Sequence, residues 1–198
     1  MSLAECHPVS APVRTTEPTL QQEPVSMDEA RRQCGIAEGL DAHDAMLQTL
    51  IVAARAQVEA DTGLVCYTGS FTLKMTDWPA DDWFSIDDLR PVTSITSITY
   101  VDGDGTTQTL STSVYAFEST GVKQFVRLKY AQSWPAQRGD INGITVTFVA
   151  GYSSVLVIPA RIKQACLLLI AHWFENRSAV GTVGDLSLVN SLGRRTYP

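Results

Sequence analysis

The hydrophobic pattern changes period twice, and this double change restricts the fold more than any other feature of the chain. From about Ala42 to Asp61 the apolar residues Met46, Leu47, Leu50, Ile51, Ala54 and Val58 recur at three- and four-residue steps. Such a stripe is one face of a helix that needs another element to cover it. At Phe71 the step shortens to two. Phe71, Leu73 and Met75 alternate with Thr72, Lys74 and Thr76, as in a half-buried strand. After Ile158 the helical step returns, with Ile162, Ala165, Cys166, Leu169, Ile170 and Trp173 on one stripe, broadened by Leu167 and Leu168. A helix that is apolar on most sides is buried on most sides, in its own fold or in an oligomer. The expected class is α+β: a small helical bundle with a β-rich insertion between the second and the last long helix, a flexible N-terminal arm and a C-terminal tail.

Local signals refine the plan. Ser26-Met27-Asp28-Glu29 fits a capping box that opens a short helix to about Gln33, which Gly35 can end. Gly63 is placed to stop the second helix. Inside the insertion, Trp78-Pro79 breaks the first strand and Trp83–Ile86 is a short apolar run. Val92–Val101 is rich in Thr, Ile, Ser and Tyr, which suits a strand. Asp102-Gly103-Asp104-Gly105 reads as a hairpin turn, with Thr106–Leu110 returning. Further strands are expected at Val114–Glu118, Phe125–Tyr130 and Ile144–Val149. Pro159 suits the first position of the last helix, and Glu175-Asn176-Arg177 ends it. The expected division is an extended or disordered arm over 1–24, helices over 25–66, the β-rich insertion over 67–152, a helix over 153–178 and a tail over 179–198. The arm carries Pro8, Pro12, Pro18 and Pro24 without periodicity, and its functional alternative is a segment that orders on a partner.

Composition narrows the classes. Hydrophobic residues make up 44% and charged residues 18% of the 198, a globular balance long enough to bury a core without disulfides. Fifteen Lys+Arg against 21 Asp+Glu leave a net charge of −6, so binding DNA through phosphate neutralisation is a poor expectation. The longest apolar run, Cys166–Phe174, is nine residues and contains His172, too short for a membrane span. No basic start followed by an apolar stretch marks a secretory signal, and a cytoplasmic protein is expected. Cys6, Cys34, Cys66 and Cys166 form no CxxC pair. Cys66 and Cys166 sit among apolar neighbours, as small buried hydrophobes do.

No constellation for catalysis emerges. His7, His43 and His172 are too scattered for a metal site, and neither HExxH, GxSxG, GxGxxG nor a phosphate-binding loop occurs. Asp102 and Asp104 lack the further ligands of a calcium loop. Asp81, Asp82, Asp87 and Asp88 could hold a cation or act as paired carboxylates, but a solvated acidic loop is the simpler reading. The expectation is no enzyme, no cofactor and no metal.

Four stretches together resemble the head-to-tail connector (adaptor) proteins of long-tailed phages and prophages. They are Pro24-Val25-Ser26 through Glu29-Ala30 with Ala53–Glu59 and Thr62-Gly63; Val92–Asp102 running into Gly105; Ser133-Trp134-Pro135-Ala136 with Ile144–Val149 and Ala150-Gly151-Tyr152; and Ile158-Pro159-Ala160 leading to Leu167–Arg177. Their order and spacing over roughly residues 24–180 carry the likeness. The proline-bearing arm and the tail fall outside it.

The resemblance implies a structural virion subunit, in a closed ring of about twelve copies docked under the portal protein. It also implies a bundle with a β insertion, a channel for passing DNA without specific binding, and a platform for a stopper or tail-completion protein. Its place would be the virion head-tail junction, after assembly in the host bacterial cytoplasm, with no membrane involved. The tail is the expected portal contact, through Leu186, Leu188, Leu192, Arg194, Arg195 and Tyr197. His172, Trp173 and Arg177 are the expected ring interface, and Asp81, Asp82, Asp87 and Asp88 an acidic loop facing the lumen, where like charge would keep DNA from sticking. The runner-up is a head-completion stopper or tail-completion protein. A different class is a β-module binding a polymer or small ligand on Trp78, Trp83 and Trp134.

Overall fold

The computed structural model describes residues 12–15, 23–37, 39–120 and 123–176. The chain divides into two units, each built from segments far apart in sequence: Met1–Glu17 with Thr68–Gly151, and Pro18–Tyr67 with Tyr152–Pro198.

Among its described residues, the regular elements of the first unit are all strands. Its strands are β1 (Val13–Arg14), β2 (Gly69–Met75), β3 (Trp83–Ser85), β4 (Val92–Val101), β5 (Thr107–Thr109), β6 (Tyr115–Ser119), β7 (Gln124–Leu128) and β8 (Ile144–Ala150). They form a five-stranded sheet in the order β1-β2-β8-β4-β5 and a three-stranded sheet in the order β3-β7-β6. Every pairing is antiparallel. The centre is the β2–β8 ladder, from Gly69 opposite Ala150 to Met75 opposite Ile144. Alternation decides its sides: Phe71, Leu73 and Met75 on β2 and Ile144, Val146 and Phe148 on β8 are buried. Phe71 and Phe148 stack with centroids 5.9 Å apart.

The β4–β5 turn is held by one aspartate. Asp102 Oδ1 accepts from the N–H groups of Asp104 and Thr106, and Oδ2 accepts from Gln108 Nε2 at 2.9 Å. Gly105 closes the turn at φ +83°, a value side-chain-bearing residues rarely adopt. The donors, led by Gln108, hold the Asp102 carboxyl below the usual range. A carboxylate so occupied is a turn device, not a calcium ligand.

The second unit is helical, with α1 (Met27–Gln33), α2 (Asp44–Thr62) and α3 (Ala160–Glu175). The capping box of α1 is formed: the Glu29 N–H donates to Ser26 Oγ, and the Ser26 N–H donates to Glu29 Oε2 at 3.0 Å. Gly63 ends α2 in the left-handed conformation, its N–H donating to the Glu59 carbonyl at 2.9 Å. Leu47, Ile51, Ala54 and Val58 of α2 and Ile162, Ala165, Cys166, Leu169 and Ile170 of α3 make one apolar cluster, joined by Val25 and Ala30. Cys66 and Cys166 are buried free thiols in it.

Three details differ from the sequence expectations. Parts of the 1–24 arm are structured: Val13–Arg14 is a sheet strand, and Glu23 and Pro24 are buried. A two-residue strand has no period to detect, and the burial of Glu23 depends on Arg55, a partner 32 residues away. Pro159 is the N-cap of α3, one position before its first turn. Leu168, expected to broaden the buried stripe, is 41% exposed, because it lies opposite the face that meets α2 and α1.

Candidate functional site

The described surface offers faces for assembly. Among the described residues, no group of three or more His, Cys, Asp or Glu is placed to hold a metal ion, and no helix is long and apolar enough to cross a membrane.

On α3 the buried stripe leaves Arg161, Gln164, Leu168, His172 and Glu175 pointing outward. His172 is exposed, and its carbonyl accepts from the Asn176 N–H and from Asn176 Nδ2, both at 2.9 Å. Its neighbour Trp173 is half-buried against the unit's own apolar cluster. The structure thus puts these two residues on different sides of the helix. Arg177 lies outside the described residues, as do Leu186, Leu188, Leu192, Arg194, Arg195 and Tyr197 of the tail.

Two surfaces were not singled out from the sequence. The outward face of α2 exposes Ala45, Gln48, Thr49, Val52, Ala56 and Ala60, with no charge over four turns. The charged groups that α2 does carry in its second half turn inward. Arg55 is buried, its Nε donating to both oxygens of Glu23 at 3.2 and 3.0 Å and its Nη1 to Glu59 Oε2 at 2.6 Å. Burial alone would pull the guanidinium down; the Glu59 and Glu23 carboxylates more than reverse this and hold it above its ordinary value. The second surface is the 3-10 turn Val155–Val157, which presents three apolar residues in a row, with Leu156 90% exposed. Ser154 fixes this turn by accepting from the Leu156 N–H at 3.2 Å. A three-residue apolar run carries no period, so only the exposure reveals it.

The acidic segment is not uniform. Asp81, Asp82 and Asp88 are exposed, but Asp87 is half-buried and accepts from the Gln124 N–H at 2.9 Å. Asp82 has a basic neighbour from β7: Arg127 Nε stands 3.7 Å away across exposed surface. Asp87 is therefore a structural acceptor for β7. The tryptophans do not form a row of free platforms. Trp78 and Trp134 stack on each other with centroids 4.7 Å apart and planes 7° apart, and Trp134 Nε1 donates to the Asp81 carbonyl at 3.0 Å. Trp83 remains 47% exposed, edge-on to Phe125. Two of the three rings are already used within the unit.

Residues 25–185 match the model of the Head completion protein family. The chain belongs to the head completion protein family. Membership makes it a structural protein of head completion, in the head-to-tail connector class. Its fold recurs in solved structures of gene transfer agent (GTA) particles. A chain from the neck of the empty GTA particle, computed with C6 symmetry, superposes with TM-score 0.73 at 21% identity, covering 92% of this chain and 95% of that one. A chain from the virion of the native GTA particle gives 0.73 at 22% identity, with the same shares covered. One from the neck of the native particle, computed with C12 symmetry, gives 0.68 at 21% identity over 92% of this chain and 94% of that one. No curated protein matches. The head completion family and the resemblance read from the sequence agree, and both include the β unit and the helical unit.

Proposed function

We propose that this chain is an adaptor: a subunit of a ring of about twelve copies that docks under the portal, extends the DNA channel and carries the stopper or tail-completion protein. The observation that carries this reading is the fold shared along nearly the whole chain with components of particles whose necks were computed with C6 and C12 symmetry. A ring subunit needs two different side surfaces that meet head to tail and close. The uncharged face of α2, the outward face of α3 with His172, and the Val155–Val157 turn are the surfaces suited to that contact. Trp173, near the end of α3, and Arg177 complete the proposed interface.

The tail residues Leu186, Leu188, Leu192, Arg194, Arg195 and Tyr197 are the proposed portal contact, since Arg and Tyr are favoured interface anchors. Deleting Ser191–Pro198 should leave the fold intact and weaken portal binding. Exposed Asp81, Asp82 and Asp88, together with the net charge of −6, suit a channel wall that passes DNA without holding it. Assembly would take place in the host bacterial cytoplasm, with no catalysis and no cofactor.

The test mixes the purified chain with the portal encoded by the same genome and weighs the product by native mass spectrometry. A complex carrying a ring's worth of this chain is the expected result. A free chain beside an intact portal would end the direct-docking reading and move the stopper role ahead.

A further inference from the structure

Among the described residues, one edge of the five-stranded sheet is only partly covered. β1 meets β2 through Val13 opposite Thr72 and Arg14 opposite Phe71, where the Arg14 guanidinium lies 5.2 Å from the ring centroid. One residue on, the Thr15 N–H and hydroxyl both donate to the Ser70 carbonyl, at 3.0 and 2.9 Å. Beyond Thr72 no described strand lies against the outer side of β2, although β2 runs on through Leu73 and Lys74 to Met75.

The register says what would continue there. Each step back along β1 is a step forward along β2, so a continuation of this register would bring Pro12, Ala11 and Ser10 opposite Leu73, Lys74 and Met75. In an antiparallel ladder, hydrogen-bonded and non-hydrogen-bonded positions alternate. Thr15 bonds Ser70, so Val13 opposite Thr72 and Ala11 opposite Lys74 are also bonded positions. Phe71, Leu73 and Met75 send their backbone groups the other way, to β8. Lys74 is thus an exposed strand residue whose N–H and C=O point off the sheet.

Pro12 obeys the same parity. It is followed by Val13 at a bonded position, so on this register its backbone N points away from β2. A proline there costs the ladder no bond, and it deletes a donor that a further strand would need. One residue of offset would have put it where it breaks the pairing.

We propose that the edge of β2 at Lys74 is a docking site for the chain's own arm. Ser10 and Ala11 continue β1, Ala11 exchanges two backbone hydrogen bonds with Lys74, and Pro12 blunts the new outer edge. The arm then seals a strand edge that would otherwise be a pairing template for neighbouring copies.

Amide hydrogen exchange followed by NMR tests this on the full chain and on a chain lacking residues 1–11. The Lys74 N–H should exchange at least about tenfold more slowly in the full chain, while the Leu73 and Met75 N–H groups, bonded to β8, keep the same protection in both. A pair of full-length variants checks the parity without shortening the chain. Ala11→Pro should release the Lys74 amide, and Ser10→Pro should leave it protected. Equal effects of the two prolines, or a Lys74 amide no slower in the full chain than in the truncated one, would overturn the proposal. So would protection of Lys74 that rises with protein concentration, because the occupant would then be a second copy.

Discussion

In β2 and β8, the central strands of the β unit, burial follows a rule that each strand carries in itself. Every second residue of β2 and β8 faces inward, and the buried ones on that face are apolar. In the helical unit the buried set includes Glu23 and Arg55, whose side chains are 2% and 5% exposed. Around them Glu59 Oε1 accepts from the Cys66 N–H at 2.8 Å, and the Tyr67 ring lies 5.6 Å from Arg55 Cζ. Taking such ions out of water costs several kcal/mol each, which their attraction and hydrogen bonds offset only when the geometry is good. What the network contributes is position. Glu59 lies on the same helix as Arg55, but Glu23 meets the guanidinium only when residues 23–25 lie against α2, so the pair docks the start of the helical unit at one place. The difference teaches where each unit is vulnerable: the β unit to a lost volume, the helical unit to a lost charge.

The largest expected effect breaks the β unit. Phe148→Ala empties a fully buried site in the central ladder and removes the stack on Phe71. It should cost about 4 kcal/mol, read as a lower urea midpoint. A loss below about 1 kcal/mol would mean the sheet collapses into the gap, and that its packing is looser than the alternation implies.

Next comes the charge. Arg55→Ala removes the cation that Glu23 and Glu59 share and should cost about 3 kcal/mol. Adding Glu23→Gln to that variant should recover part of the loss, because one buried carboxylate charge is gone. Cysteine labelling separates the units. Burial pushes the Cys66 and Cys166 thiols up, Cys166 to about 12, so at mildly alkaline pH they react only when the helical unit opens. Arg55→Ala should speed their labelling strongly, and Phe148→Ala should do so far less. Equal acceleration by both variants would mean that the units open together, and the comparison between them would fail.

How much of this is legible without coordinates depends on how local the cause is. β4 has the bounds Val92–Val101 that its residue content suggests, and β2, β7 and β8 lie within two residues of their expected limits, since alternation is written into each strand. The capping box is equally local, set by two residues three apart. The Glu23–Arg55 pair, the Trp78–Trp134 stack and the bond from the Gln124 N–H to Asp87 join residues 32, 56 and 37 positions apart, and no pattern within either segment announces them. The candidate surfaces divide in the same way. Helical period assigns Trp173 to the inner stripe, where the structure half-buries it, but it wrongly adds Leu168. The charge-free face of α2 is in plain view in the sequence, yet it reads as ordinary until Arg55 and Glu59 are seen to turn inward. The exposed Leu156 turn has no signal beyond three apolar letters.

The smallest expected effect tests whether a local device matters beside these long-range ones. Ser26→Ala removes the hydroxyl that caps α1 and should cost about 1 kcal/mol. The other half of the box, Glu29, also meets Lys163 of α3 at 2.7 Å, so it ties α1 to the helix that closes the unit. Partial burial alone would raise the Glu29 carboxyl; hydrogen bonds from Lys163 and the Ser26 N–H, with the Lys163 charge, outweigh it and hold the group below its ordinary value. A depressed folded-state pKa contributes stability that is complete above the unfolded value of about 4.3 and is lost as pH falls through the lower folded value. Glu29→Gln should therefore be less stable than the natural chain near neutral pH, with the gap narrowing once the pH drops below about 4. A gap of the same size in acid would mean that hydrogen-bond geometry, and not the charge shared with Lys163, holds α1 to α3.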